Sequence, residues 1–143
     1  MAIHFPMRVV LDTNVIFEGL TKQGGVCGLI VDAWRANLLL ICVSNTLIYE
    51  YKDVLSRRLS PDRWPEVEIL LDGLLNRSAE PITIYFSWRP ISPDVGDDHV
   101  INCAMNANAP LITANIRDFR PAQQRLGLQV MTPLSLVIYL TQS

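Results

Sequence analysis

Val9, Val10 and Leu11 form an unbroken apolar run that ends on Asp12, and residues 38–43 form a second run without polar alternation. A strand with one face in water alternates apolar and polar side chains, so runs like these belong to strands covered on both faces. Between them, Val26, Leu29, Ile30, Ala33 and Trp34 recur at the spacing of one amphipathic helix stripe. Gly24 and Gly25 separate that helix from the segment after Asn14. Ser44 caps a predicted helix from Asn45 to about Arg58, which turns Leu47, Tyr51, Val54 and Leu55 inward and ends at Ser60-Pro61. Val67, Leu70, Leu71, Leu74 and Leu75 mark a further helix, with Pro65 near its first turn. Residues 82–86 read as a strand and 88–96 as a loop. Residues 97–108 read as a helix, and 111–113 and 129–131 as short strands. Thr132-Pro133 opens a last helix through about Leu140. Strands alternating with helices predict an α/β fold around a mostly parallel sheet.

The chain has 143 residues, half of them hydrophobic, which suits one domain over residues 1–143. Twelve basic and fourteen acidic residues give a formal net charge of −2. That excludes a strongly basic nucleic-acid protein, so any such contact must come from a local patch. The longest apolar run is six residues, against the roughly 20 of a membrane span, and the N-terminus lacks a signal-peptide pattern. Cys27, Cys42 and Cys103 show no CxxC or Cys/His ligand spacing and sit in apolar stretches. They read as buried thiols of a protein in a reducing compartment, the cytoplasm.

In an open parallel sheet, ligands bind beyond the carboxyl ends of the strands. Asp12 follows the first strand directly, and burying an unpaired carboxylate there is costly; Asp is equally a preferred helix cap. Glu50 lies on or beside the apolar stripe of its helix, or at its edge as a partly exposed acid. Asp98, in the Asp97-Asp98 doublet, opens a helix, where the dipole favours an acid. Asn115 and Asp118 follow the strand at 111–113, in a segment that also suits an Asx turn. Acids at four element ends point to one sheet edge. Two carboxylates at about 4 Å repel by about 4 kcal/mol at an effective dielectric near 20. A divalent cation neutralises such a cluster, and all-oxygen ligands select Mg²⁺ or Mn²⁺. The chemistry that suits this is metal-assisted attack of water on a phosphodiester.

The LDTN run at Leu11 to Asn14, SNTLIYEYKDVL from Ser44, DDHVINCA from Asp97 and LITANIRDF from Leu111 resemble, in order, the four acidic motifs of the PIN-domain family. The TxNxxDF form of the fourth, Thr113, Asn115, Asp118 and Phe119, is similar to that of VapC-type toxins of toxin–antitoxin pairs. The resemblance implies a three-layer α/β/α fold with about five strands. It also implies an Mg²⁺- or Mn²⁺-dependent endoribonuclease, with RNA as substrate, an antitoxin protein as partner, and a homodimer as an assembly. Asp12, Glu50, Asp98 and Asp118 match the family's acids, and Thr13, Asn14, Thr113 and Asn115 its supporting polar residues. Many relatives carry Asp where this chain has Asn115, so the fourth acid falls at either position. A catalytically silent RNA- or protein-binding domain of the same fold is the alternative.

Other constellations fail. The run from Asp12 to Ile16 lacks the second Asp and the Thr of a DxDxT loop, and the two histidines, His4 and His99, lack an HExxH spacing. No phosphate-binding glycine pattern occurs. His99 reads as a surface residue, and Trp34, Trp64 and Trp88 as packing residues, with base stacking by Trp88 beside Arg89 as the second reading. For RNA, Arg57, Arg58 and Arg63 are candidate backbone contacts, as are Arg117 and Arg120, which flank the fourth motif.

Overall fold

The computed structural model describes residues 5–22, 24–88 and 95–142. Five strands, β1 (Met7–Leu11), β2 (Leu39–Val43), β3 (Ala79–Pro81), β4 (Leu111–Ile112) and β5 (Val130–Met131), form one sheet in the order β3-β2-β1-β4-β5. Every pairing is parallel. The helices are α1 (Thr13–Thr21), α2 (Val26–Arg35), α3 (Asn45–Arg58), α4 (Trp64–Arg77), α5 (Val95–Ala107), α6 (Arg120–Leu126) and α7 (Pro133–Leu140), with a 3-10 turn at Ile116–Phe119. The fold is therefore α/β, an all-parallel five-stranded sheet flanked by helices, as the sequence predicts.

Val9, Val10 and Leu11 have no exposed surface, as a strand covered on both faces requires. From β1 the chain crosses through α1 and α2 to β2, then through α3 and α4 to β3. It next passes through α5 to β4 on the other side of β1, where the strand order reverses. The register there is short: Val10 pairs with Leu111 and Leu11 with Ile112.

Local sequence explains most boundaries. The Ser44 hydroxyl accepts from the Leu47 N–H at 3.1 Å and caps α3, and Thr132 caps α7 by accepting from the Ser135 N–H at 3.0 Å. The buried indole of Trp34 donates to the Ser78 carbonyl at 2.7 Å. Glycine is needed at position 19: a Cβ there would lie 2.6 Å from Val31 Cγ2 and 2.7 Å from the Cys27 carbonyl oxygen. That clearance lets α1 and α2 approach closely.

The structure corrects several sequence expectations. Residues 82–86 are not a strand; the third strand is Ala79–Pro81, held by the Ile41, Cys42 and Val43 register. The alternation that suggested a strand is real, with Ile82 and Ile84 half-buried and Thr83 and Tyr85 exposed. The Ile82 N–H still bonds the Val43 carbonyl of β2, but the Tyr85 and Phe86 N–H groups go to the Asn106 side chain instead of a strand. Helix α5 starts at Val95, two residues before the expected start and inside the segment 88–96 read as loop; residues 89–94 of that loop lie outside the described residues. Two helices were not expected. Helix α1 is short and its capping residue doubles as a candidate site residue, and α6 follows directly on the 3-10 turn. Of the thiols, Cys42 and Cys103 are buried and Cys27 is only partly so. His99 is half-buried rather than a surface residue.

Candidate active site

Strand polarity decides where the candidate residues lie. Asp12 follows β1 and Thr113 follows β4, so both stand at the carboxyl edge where the strand order reverses. This is the place where open α/β sheets hold their ligands. The Asp12 N–H donates to the Ile112 carbonyl at 3.0 Å and the Thr113 N–H to the Met131 carbonyl at 2.9 Å, extending the ladders by one step. The Thr113 hydroxyl then donates to Asp12 Oδ2 at 2.7 Å, joining residues 101 apart in sequence. Asp12 Oδ1 accepts from the Thr13 N–H at 2.8 Å. One carboxylate thus caps α1, as the capping reading expected, and bonds across the strand junction to Thr113. Asp12 is 6% exposed and Thr113 fully buried.

The Thr113 hydroxyl also accepts from the Asn115 N–H at 3.0 Å. Asn115 Nδ2 donates to Asp118 Oδ2 at 2.5 Å, so the two positions that compete for the fourth acid are bonded to each other. A continuous chain of contacts therefore runs Asp12, Thr113, Asn115, Asp118. Asn115 also takes the capping position of the 3-10 turn, with no side-chain capping bond; the Asp118 N–H donates to its backbone carbonyl at 3.3 Å.

Glu50 is half-buried on α3. Its neighbour Tyr51 is fully buried and donates its hydroxyl to the Leu11 carbonyl at 2.5 Å, just before Asp12. Burial above all holds the Tyr51 hydroxyl well above its usual pKa, with Cys103, Asp12 and Cys42 adding to the effect. It is a neutral donor that fixes α3 to the end of β1. Sequence reasoning saw Tyr51 only as a core residue; the signal available was that a buried tyrosine needs a partner for its hydroxyl. Asp98, 3% exposed, stands in the first turn of α5. Because α5 runs back along the sheet into β4, its first turn belongs to the carboxyl edge.

Among the described residues, no group of three or more His, Cys, Asp or Glu side chains is gathered closely enough to hold a metal ion. Asp12 and the first turn of α5, which carries Asp98, stand at the carboxyl edge, while Glu50 lies within α3. The donor chemistry still suits Mg²⁺ or Mn²⁺: Asp12 and Asp98 are buried carboxylates. Mg²⁺ is usually held by one or two carboxylates, with waters and substrate phosphates completing its shell.

The cations divide. Arg57 pairs with Asp53 at 3.0 Å, and Arg63 donates to the Thr21 carbonyl at 2.5 Å. Arg58 lies over the Phe17 ring, 3.7 Å from its centroid, and donates to Asn14 Oδ1 at 3.4 Å. That places Asn14 beside a cation rather than against the other site residues. Arg117 and Arg120 are exposed on the fourth-motif segment. A cavity of about 430 Å³, lined by Thr21, Lys22, Arg35 and Arg63 among others, contains none of the candidate acids or their supporting polar residues.

Comparison with known proteins agrees with this geometry. A family profile described as PIN domain matches residues 8–117. Among solved structures, the chain is similar to VapBC2 from Rickettsia felis bound to a DNA fragment from their promoter. There the TM-score is 0.62 and the identity 17%, over 88% of this chain and 98% of that one. It is also similar to FitAcB from Neisseria gonorrhoeae (TM-score 0.59, 15% identity, 88% and 98% covered). VapBC-1 from nontypeable Haemophilus influenzae gives a TM-score of 0.58 and 20% identity, over 90% and 99%. No curated protein matches. With the strand order, the reversal at Asp12 and Thr113, and a profile match over most of its length, the chain belongs to the PIN-domain family.

Proposed function

We propose that this protein is a divalent-metal-dependent endoribonuclease, the toxin component of a toxin–antitoxin pair. The observation that carries the reading is the Asp12–Thr113 hydrogen bond at the point of strand reversal, on the same edge as the buried Asp98. Family membership and the likeness to VapBC and FitAB structures support it. Asp12 and Asp98 would hold Mg²⁺ or Mn²⁺. When bound, such an ion supplies an activated water and charge stabilisation for phosphodiester hydrolysis.

Thr113 fixes the orientation of the Asp12 carboxylate, and the Thr13 N–H fixes its other oxygen. Glu50 and Asp118 would complete the shell of the ion or orient the attacking water, and Asn115 sets the Asp118 side chain. Arg117 and Arg120 contact the RNA backbone. An antitoxin protein is the partner expected from the likeness to VapBC complexes, and a second copy of the chain completes the assembly. No helix among the described residues is long and apolar enough to cross a membrane. The free thiols of Cys27, Cys42 and Cys103 suit a reducing compartment, and on that ground we place the protein in the cytoplasm.

The second reading, a catalytically silent binding domain, is favoured by one observation: no three-acid group is gathered among the described residues. Cleavage of RNA by the purified protein with Mn²⁺ or Mg²⁺ separates the two. Chelation should stop cleavage, and Asp12→Ala should abolish it. Asp118→Asn should cost less, because a neutral oxygen still orients water. Activity that survives both Asp12→Ala and Asp98→Ala would leave the binding-domain reading in place.

A further inference from the structure

Residues 82–88 leave the sheet edge after the Ile82 N–H bonds the Val43 carbonyl at 2.8 Å, and then lie along α5. Tyr85 is 79% and Phe86 69% exposed. Large aromatic side chains this exposed stand out on a segment whose backbone is tied down where they attach. Asn106 Oδ1 accepts from the N–H groups of Tyr85 at 2.9 Å and Phe86 at 3.2 Å. Its Nδ2 donates to the Phe86 carbonyl at 2.8 Å and to the Asn102 carbonyl at 2.7 Å. One helical turn away, buried Asn102 accepts from the Trp88 N–H at 3.0 Å. The Phe86 and Trp88 rings are tilted by 40° with centroids 6.3 Å apart.

We propose that Tyr85 and Phe86 form a stacking platform for unpaired bases of single-stranded RNA, at the far end of α5 from the carboxyl-edge site. The proposal rests on RNA being the ligand of that site. Every base has a π-face, so stacking on aromatic side chains is sequence-tolerant and needs no base-edge readout. Rings carried on a clamped backbone lose little conformational freedom on binding. Residues 82–88 carry no acid to repel phosphates. Asn106 lies eight residues beyond Asp98 on one helix, about 12 Å along its axis, so a strand laid across the platform runs on toward Asp98 within a few nucleotides. A second copy of the chain fits the patch less well. Two aromatic side chains offer about 150–250 Å² each, against roughly 800 Å² per partner in a stable interface.

The test measures binding with divalent ions chelated, using a short single-stranded oligoribonucleotide carrying 2-aminopurine and the matching duplex. The Tyr85→Leu/Phe86→Leu protein should bind the single strand about tenfold or more weakly and lose the 2-aminopurine quenching, with duplex binding and thermal midpoint unchanged. Tyr85→Trp, which keeps a stacking face, should retain binding. Unchanged single-strand affinity in the double variant overturns the platform. So does an equal loss on strand and duplex, or a dimer that dissociates while RNA binding stays the same. Loss of single-strand binding in the variant, with no cleavage by the wild type under Mn²⁺, supports the platform while removing the nuclease reading. Cleavage by the wild type, with full single-strand binding by the variant, does the reverse.

Discussion

The Thr113 hydroxyl and the Asp12 carboxylate, 2.7 Å apart, tie the carboxyl end of β4 to that of β1. The same hydroxyl takes the Asn115 N–H, so one oxygen sets both the buried acid and the start of the fourth-motif segment.

Replacing that hydroxyl by a methyl group tests it with little change of shape. Thr113→Val should lower unfolding free energy by about 1.5–3 kcal/mol, the usual range for a hydrogen bond to a charged group, read by urea denaturation. RNA cleavage should fall as well, because the carboxylate loses its orienting donor. A variant as stable and active as the wild type would show the bond to be dispensable.

Metal should bind the folded chain and raise its thermal midpoint with ion concentration, by linkage. Mg²⁺ and Mn²⁺ should both act, and Asp12→Asn or Asp98→Asn should each weaken the response without unfolding the protein. Differential scanning fluorimetry over a titration reads this directly. An undiminished shift in the Asp12→Asn/Asp98→Asn double variant would put the ion elsewhere.

RNA affinity should depend on salt through a few local cations, since the formal net charge is −2. Arg117→Glu should weaken binding at low salt and flatten the slope of log affinity against log salt by about one phosphate contact or more. Arg57→Glu should do less, because Arg57 is paired with Asp53. Equal effects of the two would mean that the fourth-motif segment does not face the RNA.

Acid should reveal the clamp between β1 and β3. Arg8 grips Glu80 with Nε to Oε1 at 2.9 Å and Nη2 to Oε2 at 2.6 Å, and donates Nη1 to the Ala107 carbonyl at 2.9 Å. The Arg8 hydrogen bond, aided by its charge and opposed by burial, holds the Glu80 carboxyl below its ordinary value of 4.5. A folded value below the unfolded one stabilises above about 4.5 and loses that contribution as pH falls through the folded value. Glu80 is about a third exposed, so solvent screening keeps the effect within about 1 kcal/mol. Wild type should therefore lose more stability than Glu80→Gln on going from about pH 6 to about pH 3, and the two should converge at the acid end. Parallel curves would assign the clamp no net weight.

The unalternating run at Val9 to Leu11 and the stripe through Val26 and Trp34 made the α/β order legible, because burial on both faces leaves a pattern that only covered strands and helices share. Asp12 was legible for a similar reason, as a carboxylate set directly behind buried strand residues. Residues 82–86 misled because alternation records only which side chains are buried. It does not record whether the backbone partner is a strand or, as here, an asparagine amide about three turns along another element. Tyr51 stayed hidden among core residues, since its hydroxyl acts on a carbonyl 40 positions away. How far Glu50 and Asp98 stand from Asp12 depends on the packing of α3 and α5, which no spacing in the sequence encodes.

Two residue pairs, Val10 with Leu111 and Leu11 with Ile112, join the β3-β2-β1 half of the sheet to the β4-β5 half. This junction is a seam, and the Asp12–Thr113 bond is the stitch at its open end. Opening of the two halves against each other would part the carboxylate from its donor, because the two belong to different halves. Fold stability at the seam and readiness of the acid are then one quantity. Amide exchange at Asp12, whose N–H crosses the seam to the Ile112 carbonyl, would follow the rate at which the site comes apart and reforms.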